Sequence, residues 1–246
     1  MLLLALALGV FRRSSALRVL RPFIVVWIAY LATSVALWAL LDAVGYIAWT
    51  DRTPKYRWVT ISVLLIGIPA LVMLAAARSL GYTRTELNLT SGDMRARGLV
   101  PWGSRDAPWT RLGLSTVAIT VAGGSVWIWT TADGSGYGLL LTWLPLGLLF
   151  AAVNAAQEEL RFRLVPLATL VDSVGDEQAI WLTAMVFGLA HWSGATPAGP
   201  LGTIFHGLIG AWLAKSILET RGVAWAWIMH ALGNVALFVV LVLTAS

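Results

Sequence analysis

Apolar residues run along this chain in long blocks, and short polar stretches separate them. The blocks at 23–41, 58–77 and 112–131 reach the length of about 20 residues that a helix needs to cross hydrocarbon at 1.5 Å per residue. Further blocks at 181–195, 201–218 and 223–244 are similar, some of them a little short. Residues 137–171 are too long for one span and awkward for two. Pro145 and Pro166 interrupt them, and Glu158, Glu159, Arg161 and Arg163 sit inside them, which predicts a short helix followed by a separate, charge-bearing one. The pattern predicts an all-α polytopic transmembrane bundle of seven or eight spans without a soluble domain.

The most polar segment is 82–111. Residues 85–90 alternate polar and apolar side chains, Ser91-Gly92-Asp93 reads as a turn, and 94–99 alternate again, which predicts a hairpin. Residues 1–10 are apolar but about half a span long, and their basic residues follow rather than precede them, the reverse of a secretory signal. They are expected to form a short interfacial or packed helix.

Composition agrees with a membrane setting. Hydrophobic residues make up 59% of the chain and charged ones 12%, against about 25% charged in soluble domains. Fourteen Trp suit the headgroup boundary. The absence of Cys excludes disulfides, thiolate metal sites and a Cys nucleophile. The net charge of +5 does not point to nucleic acid, because the bases cluster beside apolar blocks. Arg12, Arg13, Arg18 and Arg21 precede the first, and Arg78, Arg84, Arg95, Arg97, Arg105 and Arg111 fill one loop, where lipid and topology account for them. The loop at 131–137 with Asp133, and the uncharged one at 192–200, are expected on the opposite side, away from the cytoplasm. Arg52, Lys55 and Arg57 fit that scheme poorly.

Ionisable residues inside spanning helices cost about 2.5–3.5 kcal/mol each on insertion scales and usually mark function. Three groups stand out. In Glu158-Glu159-Leu160-Arg161-Phe162-Arg163, Glu159 and Arg163 are one helical turn apart and can pair, leaving Glu158 on a neighbouring face, free to point elsewhere. In Phe187-Gly188-Leu189-Ala190-His191, Phe187 and His191 share a face, with small residues between that permit close helix approach. In His230-Ala231-Leu232-Gly233-Asn234, His230 and Asn234 stack one turn apart and call for a target on another helix or on a substrate. Each alone also has a structural explanation: a solvated helix end, a packing histidine, an interhelical clamp.

Taken together and in this order, the three resemble the CAAX protease and bacteriocin-processing family of intramembrane glutamic endopeptidases. That family carries E-E-x-x-x-R, F-x-x-x-H and H-x-x-x-N or D on successive membrane helices. The resemblance covers about Phe150 to the C-terminus, within a membrane-embedded core at 112–246; residues 1–111 form a variable N-terminal region. One departure is Leu164, where family members often have Gly after the motif arginine.

The resemblance implies a protease with Glu158 as general base and His191 holding the water. His230 and Asn234 donate to the oxyanion, and Glu159, Arg163 and Phe187 orient the site. It implies a polar cavity inside the membrane, no cofactor and no metal. The expected partners are a peptide or membrane-protein substrate and the lipid bilayer, with no nucleic acid, and the expected location is the bacterial cytoplasmic membrane. His206 has no role in the pattern and reads as packing. The alternatives are a zinc hydrolase with Glu158, His191 and His230 as ligands, and a non-catalytic scaffold or immunity protein. A transporter would require an inverted repeat, and none is found.

Overall fold

The computed structural model describes residues 18–99, 106–131, 137–193 and 197–244; the expected helix at 1–10 and the loop residue Asp133 lie outside these. The apolar blocks fold as helices: α1 (Arg21–Ala43), α2 (Tyr46–Thr50), α3 (Lys55–Ser79), α4 (Trp109–Thr131), α5 (Tyr137–Glu159), α6 (Val165–Val174), α7 (Asp176–Ala190), α8 (Gly199–Thr220) and α9 (Ala224–Leu243). By length and composition, α1, α3, α4, α8, α9 and the 37-residue run Gly138–Val174 can cross a membrane. The chain is a multi-pass integral membrane protein. With 15 residues, α7 reaches about 22 Å, less than the hydrocarbon thickness. The outer surface is apolar, with Ile119, Leu141 and Leu201 each more than 70% exposed, as lipid-facing side chains must be.

The 137–171 region differs from its sequence reading. Pro145 lies within α5 rather than breaking it. The irregularity falls later, as a π-helical turn at Leu160–Leu164 that joins α5 to α6 without a gap. Pro166 follows directly. In a regular helix its ring collides with the carbonyl of residue 162, and a widened turn just before it relieves that clash. The wider turn falls on the charged motif itself.

The expected hairpin at 85–99 is not formed. Thr83 and Glu86 instead make a capping box, with the Thr83 amide donating to Glu86 Oε2 at 2.7 Å and the Glu86 amide to Thr83 Oγ1 at 3.2 Å. The resulting turn buries Leu87 completely, and Asn88 takes a left-handed conformation with φ of 50°. Only the last part of the expected second strand forms: β1 (Arg97–Leu99) pairs antiparallel with β2 (Asp106–Pro108), from outside the predicted hairpin. The loop is fastened to the α8–α9 turn by Asp93 N donating to Thr220 O at 2.7 Å and Val223 N to Thr90 O at 2.9 Å. Gly92 has φ of 72° there, and a Cβ on it would lie 2.7 Å from the Gly222 nitrogen, so the approach is backbone to backbone.

Inside, Val26 of α1 and Ala70, Met73 and Ala77 of α3 share one buried cluster with Leu160, Leu164, Val165, Leu213, Ile217 and Met229. The first two spans thus pack directly on the helices that carry the motifs.

Candidate active site

Glu158 and Glu159 end α5, and the π turn places Arg161 and Arg163 just beyond them. Two ion pairs result. Arg163 Nη1 donates to Glu159 Oε1 at 2.6 Å, with Glu159 and Arg163 0% and 1% exposed. Arg161 Nη2 donates to Glu158 Oε1 at 3.0 Å. The Glu159–Arg163 pairing read from the spacing is therefore present. Glu158 points away from that pair, with one oxygen taken by the arginine three residues on and the other facing His230 of α9. Each carboxylate faces a guanidinium, which lowers the cost of burying the two pairs.

His230 of α9 reaches across to both acids. Its Nδ1 lies 2.6 Å from Glu159 Oε1, and its Nε2 lies 3.4 Å from Glu158 Oε2. With a carboxylate at each nitrogen, the ring can donate to both only as imidazolium. Glu158 Oε2 itself is buried and has no hydrogen-bond partner among the described residues.

Phe187 of α7 is the hub for the remaining rings. Its centroid is 4.4 Å from that of His191 and 5.9 Å from that of His230, and the Arg163 guanidinium lies over its face at 4.0 Å. Gly188 makes this possible. A Cβ there would strike the Thr203 carbonyl and lie 3.1 Å from the Gly207 nitrogen, so only glycine lets α7 settle so close to α8. His191 ends α7 and shares a hydrogen bond between Nδ1 and the Phe187 carbonyl at 2.8 Å. A carbonyl only accepts, so Nδ1 carries the proton and a neutral His191 keeps Nε2 as an acceptor.

Asn234 stands one turn beyond His230 on α9, but its Nδ2 is turned to Ala151 O on α5, a long contact of 3.5 Å. Ala151 precedes Glu158 by two turns, about 10 Å along the helix. The structure thus links Glu158, Glu159, Arg163, Phe187 and His230 in one network of contacts and joins His191 to it through Phe187. Asn234 faces the same partner helix further along.

Three residues not given a role by the motifs belong to the cluster. His206, read as packing, stacks on His191 with centroids 4.3 Å apart and planes 10° from parallel. Its Nδ1 is bonded to the Gly202 carbonyl at 2.8 Å, repeating the arrangement of His191. Arg161 was visible at three residues from Glu158, a spacing that permits pairing. Tyr30, whose hydroxyl accepts from Arg161 Nη1 at 2.9 Å, carries no local signal because 131 residues separate the two.

Among the described residues, no group of three or more His, Asp or Glu side chains is placed to hold a metal ion. The zinc set Glu158, His191 and His230 is therefore not assembled as ligands here. The cavities of about 430 Å³ along α7 and 470 Å³ beside Tyr82 and Arg221 are lined by other residues.

Comparison with curated proteins and with solved structures gives no match. Residues 138–236, from the start of α5 to just past Asn234, match the family described as type II CAAX prenyl endopeptidase Rce1-like.

Proposed function

We propose that the protein is an intramembrane endopeptidase in which Glu158 activates a water molecule, and that it works in the bacterial cytoplasmic membrane. The observation that carries this reading is the buried Glu158 Oε2, which makes no hydrogen bond and faces His230 Nε2 at 3.4 Å, with the other side of the His230 ring held on Glu159. A carboxylate kept short of partners in a buried site, beside an oriented imidazole, suits proton transfer.

In this reading Glu158 Oε2 takes one proton of the water, and His191 Nε2 accepts a hydrogen bond from the other. The hydroxide attacks the scissile carbonyl carbon. The developing oxyanion accepts from His230 Nε2–H and, once its weak contact with Ala151 is released, from Asn234 Nδ2. Glu158 then returns its proton to the leaving amine as the C–N bond breaks. Glu159 and Arg163 hold His230, and Phe187 spaces the two imidazoles. No group of the protein is acylated, which agrees with the absence of Cys.

The substrate class is a peptide or membrane protein. Purified protein should therefore cleave a quenched-fluorescence CAAX-type peptide, assayed in matched farnesylated and unmodified forms. Glu158→Gln, which keeps shape but removes the base, should cleave neither. Cleavage by Glu158→Gln at the wild-type rate would overturn the mechanism.

A further inference from the structure

We propose that Tyr30 and Arg161 are positioning residues for Glu158, so that α1, outside the segment matching the protease family, takes part in the working site. This rests on the reading of Glu158 as the base.

Glu158 has two carboxylate oxygens in different surroundings. Oε1 accepts from Arg161 Nη2 at 3.0 Å, while Oε2 makes no hydrogen bond and faces His230. Arg161 therefore decides which oxygen is engaged and which is presented, and it fixes the carboxylate plane. The guanidinium is itself held on three sides. Its Nη1 donates to the Tyr30 hydroxyl at 2.9 Å, Nη2 to Glu158, and its face lies over the Phe162 ring at 4.3 Å. A planar fork fixed in this way aims a carboxylate far better than a lysine ammonium would.

Tyr30 is in turn seated in an aromatic ladder on α1. Trp27 meets it edge-on at 5.5 Å, and Phe23 meets Trp27 at 6.2 Å. Val26, fully buried, anchors the same helix in the shared core. The chain of contacts from α1 through Tyr30 and Arg161 thus ends on the oxygen of Glu158 that is not presented. It differs from the Glu159–Arg163 pair, which is sealed in the core and holds His230 Nδ1 rather than a Glu158 oxygen.

Two readouts test this. The infrared difference between wild type and Glu158→Gln isolates the Glu158 carboxylate band without needing turnover. In Arg161→Met and, to a smaller extent, Tyr30→Phe, that band should shift. Arg161→Lys should fall between Arg161→Met and wild type. In cleavage of the CAAX-type peptide, kcat should fall with KM nearly unchanged, by about 10²-fold for Arg161→Met, the scale of an ångström-sized misplacement. For Tyr30→Phe the fall should be about three- to tenfold, the scale of one hydrogen bond. The double variant should be no worse than Arg161→Met alone, since Tyr30 acts only through Arg161. An unmoved carboxylate band, or a rise in activity in Arg161→Met, would overturn the proposal. A shifted band in a protein whose Glu158→Gln form still cleaves would leave the positioning intact and refute the role of Glu158 instead.

Discussion

Removing the Glu159 charge should destabilise the bundle strongly, and removing its partner as well should restore most of the loss. Glu159 and Arg163 are 0% and 1% exposed and 2.6 Å apart. Water cannot take over for either one. Taking away one member of such a pair leaves an uncompensated buried charge and costs about 3–5 kcal/mol. At about 2–4 °C per kcal/mol for a chain of this size, Glu159→Gln should lower the apparent Tm by about 6–20 °C, and Arg163→Met by less, because Glu159 keeps its contact with His230 Nδ1. The paired change Glu159→Leu with Arg163→Met removes both charges. It should return to within about 1–2 kcal/mol of wild type, because burying the ion pair has its own desolvation cost. The assay is thermal unfolding in one detergent at one scan rate, followed by the fluorescence of the 14 Trp. Activity should not return with stability, since His230 Nδ1 has lost the carboxylate that holds it. The reasoning is refuted if Glu159→Gln melts within about 2 °C of wild type, or if the double variant falls by the sum of the singles.

Other expectations follow from the same contacts. Gly188→Leu should separate α7 from α8 and abolish activity together with a large loss of stability, visible in the same melting assay, because the added side chain meets the α8 backbone. Asn234→Ala should lower kcat by about 10²–10³-fold, the usual worth of an oxyanion donor. Its melting temperature should hardly move, since its protein contact is long and weak. The capping box at 83–86 should open in acid. The Thr83 hydroxyl and amide donate to Glu86 and hold its carboxyl below the ordinary carboxylate value, so the stabilisation is present at neutral pH and is lost as pH falls through that lowered value. Amide hydrogen exchange of the 83–90 turn should speed up over that acid window, and Glu86→Gln should flatten the dependence.

Much of this could be read from residue order. Five of the six candidate spans follow from block length, and the run Gly138–Val174 does not. The Glu159–Arg163 pair follows from a four-residue spacing, and the tight α7–α8 approach from Gly188 beside Phe187. The π turn at Leu160–Leu164 leaves no hydrophobic-period signature, and its cause, Pro166, reads equally well as a helix break. The contact between Tyr30 and Arg161 joins residues 131 apart, which no local pattern encodes. The same holds for His206 on His191, whose stacking depends on where two helices cross. The hairpin failed for a local reason. Alternation at 85–90 competed with the Thr83–Glu86 capping box, and the box won because it satisfies backbone donors while burying Leu87.

The central claim is that Glu158 and His230 act as one unit, and a double-mutant cycle on cleavage measures this directly. Glu158→Gln, His230→Ala and the combined variant are compared with wild type as kcat/KM per folded molecule. The account predicts that each single change removes nearly all activity and that the double variant loses no more than the worse single, as groups acting together do. Losses that multiply, or a His230→Ala enzyme that retains wild-type turnover, would contradict it.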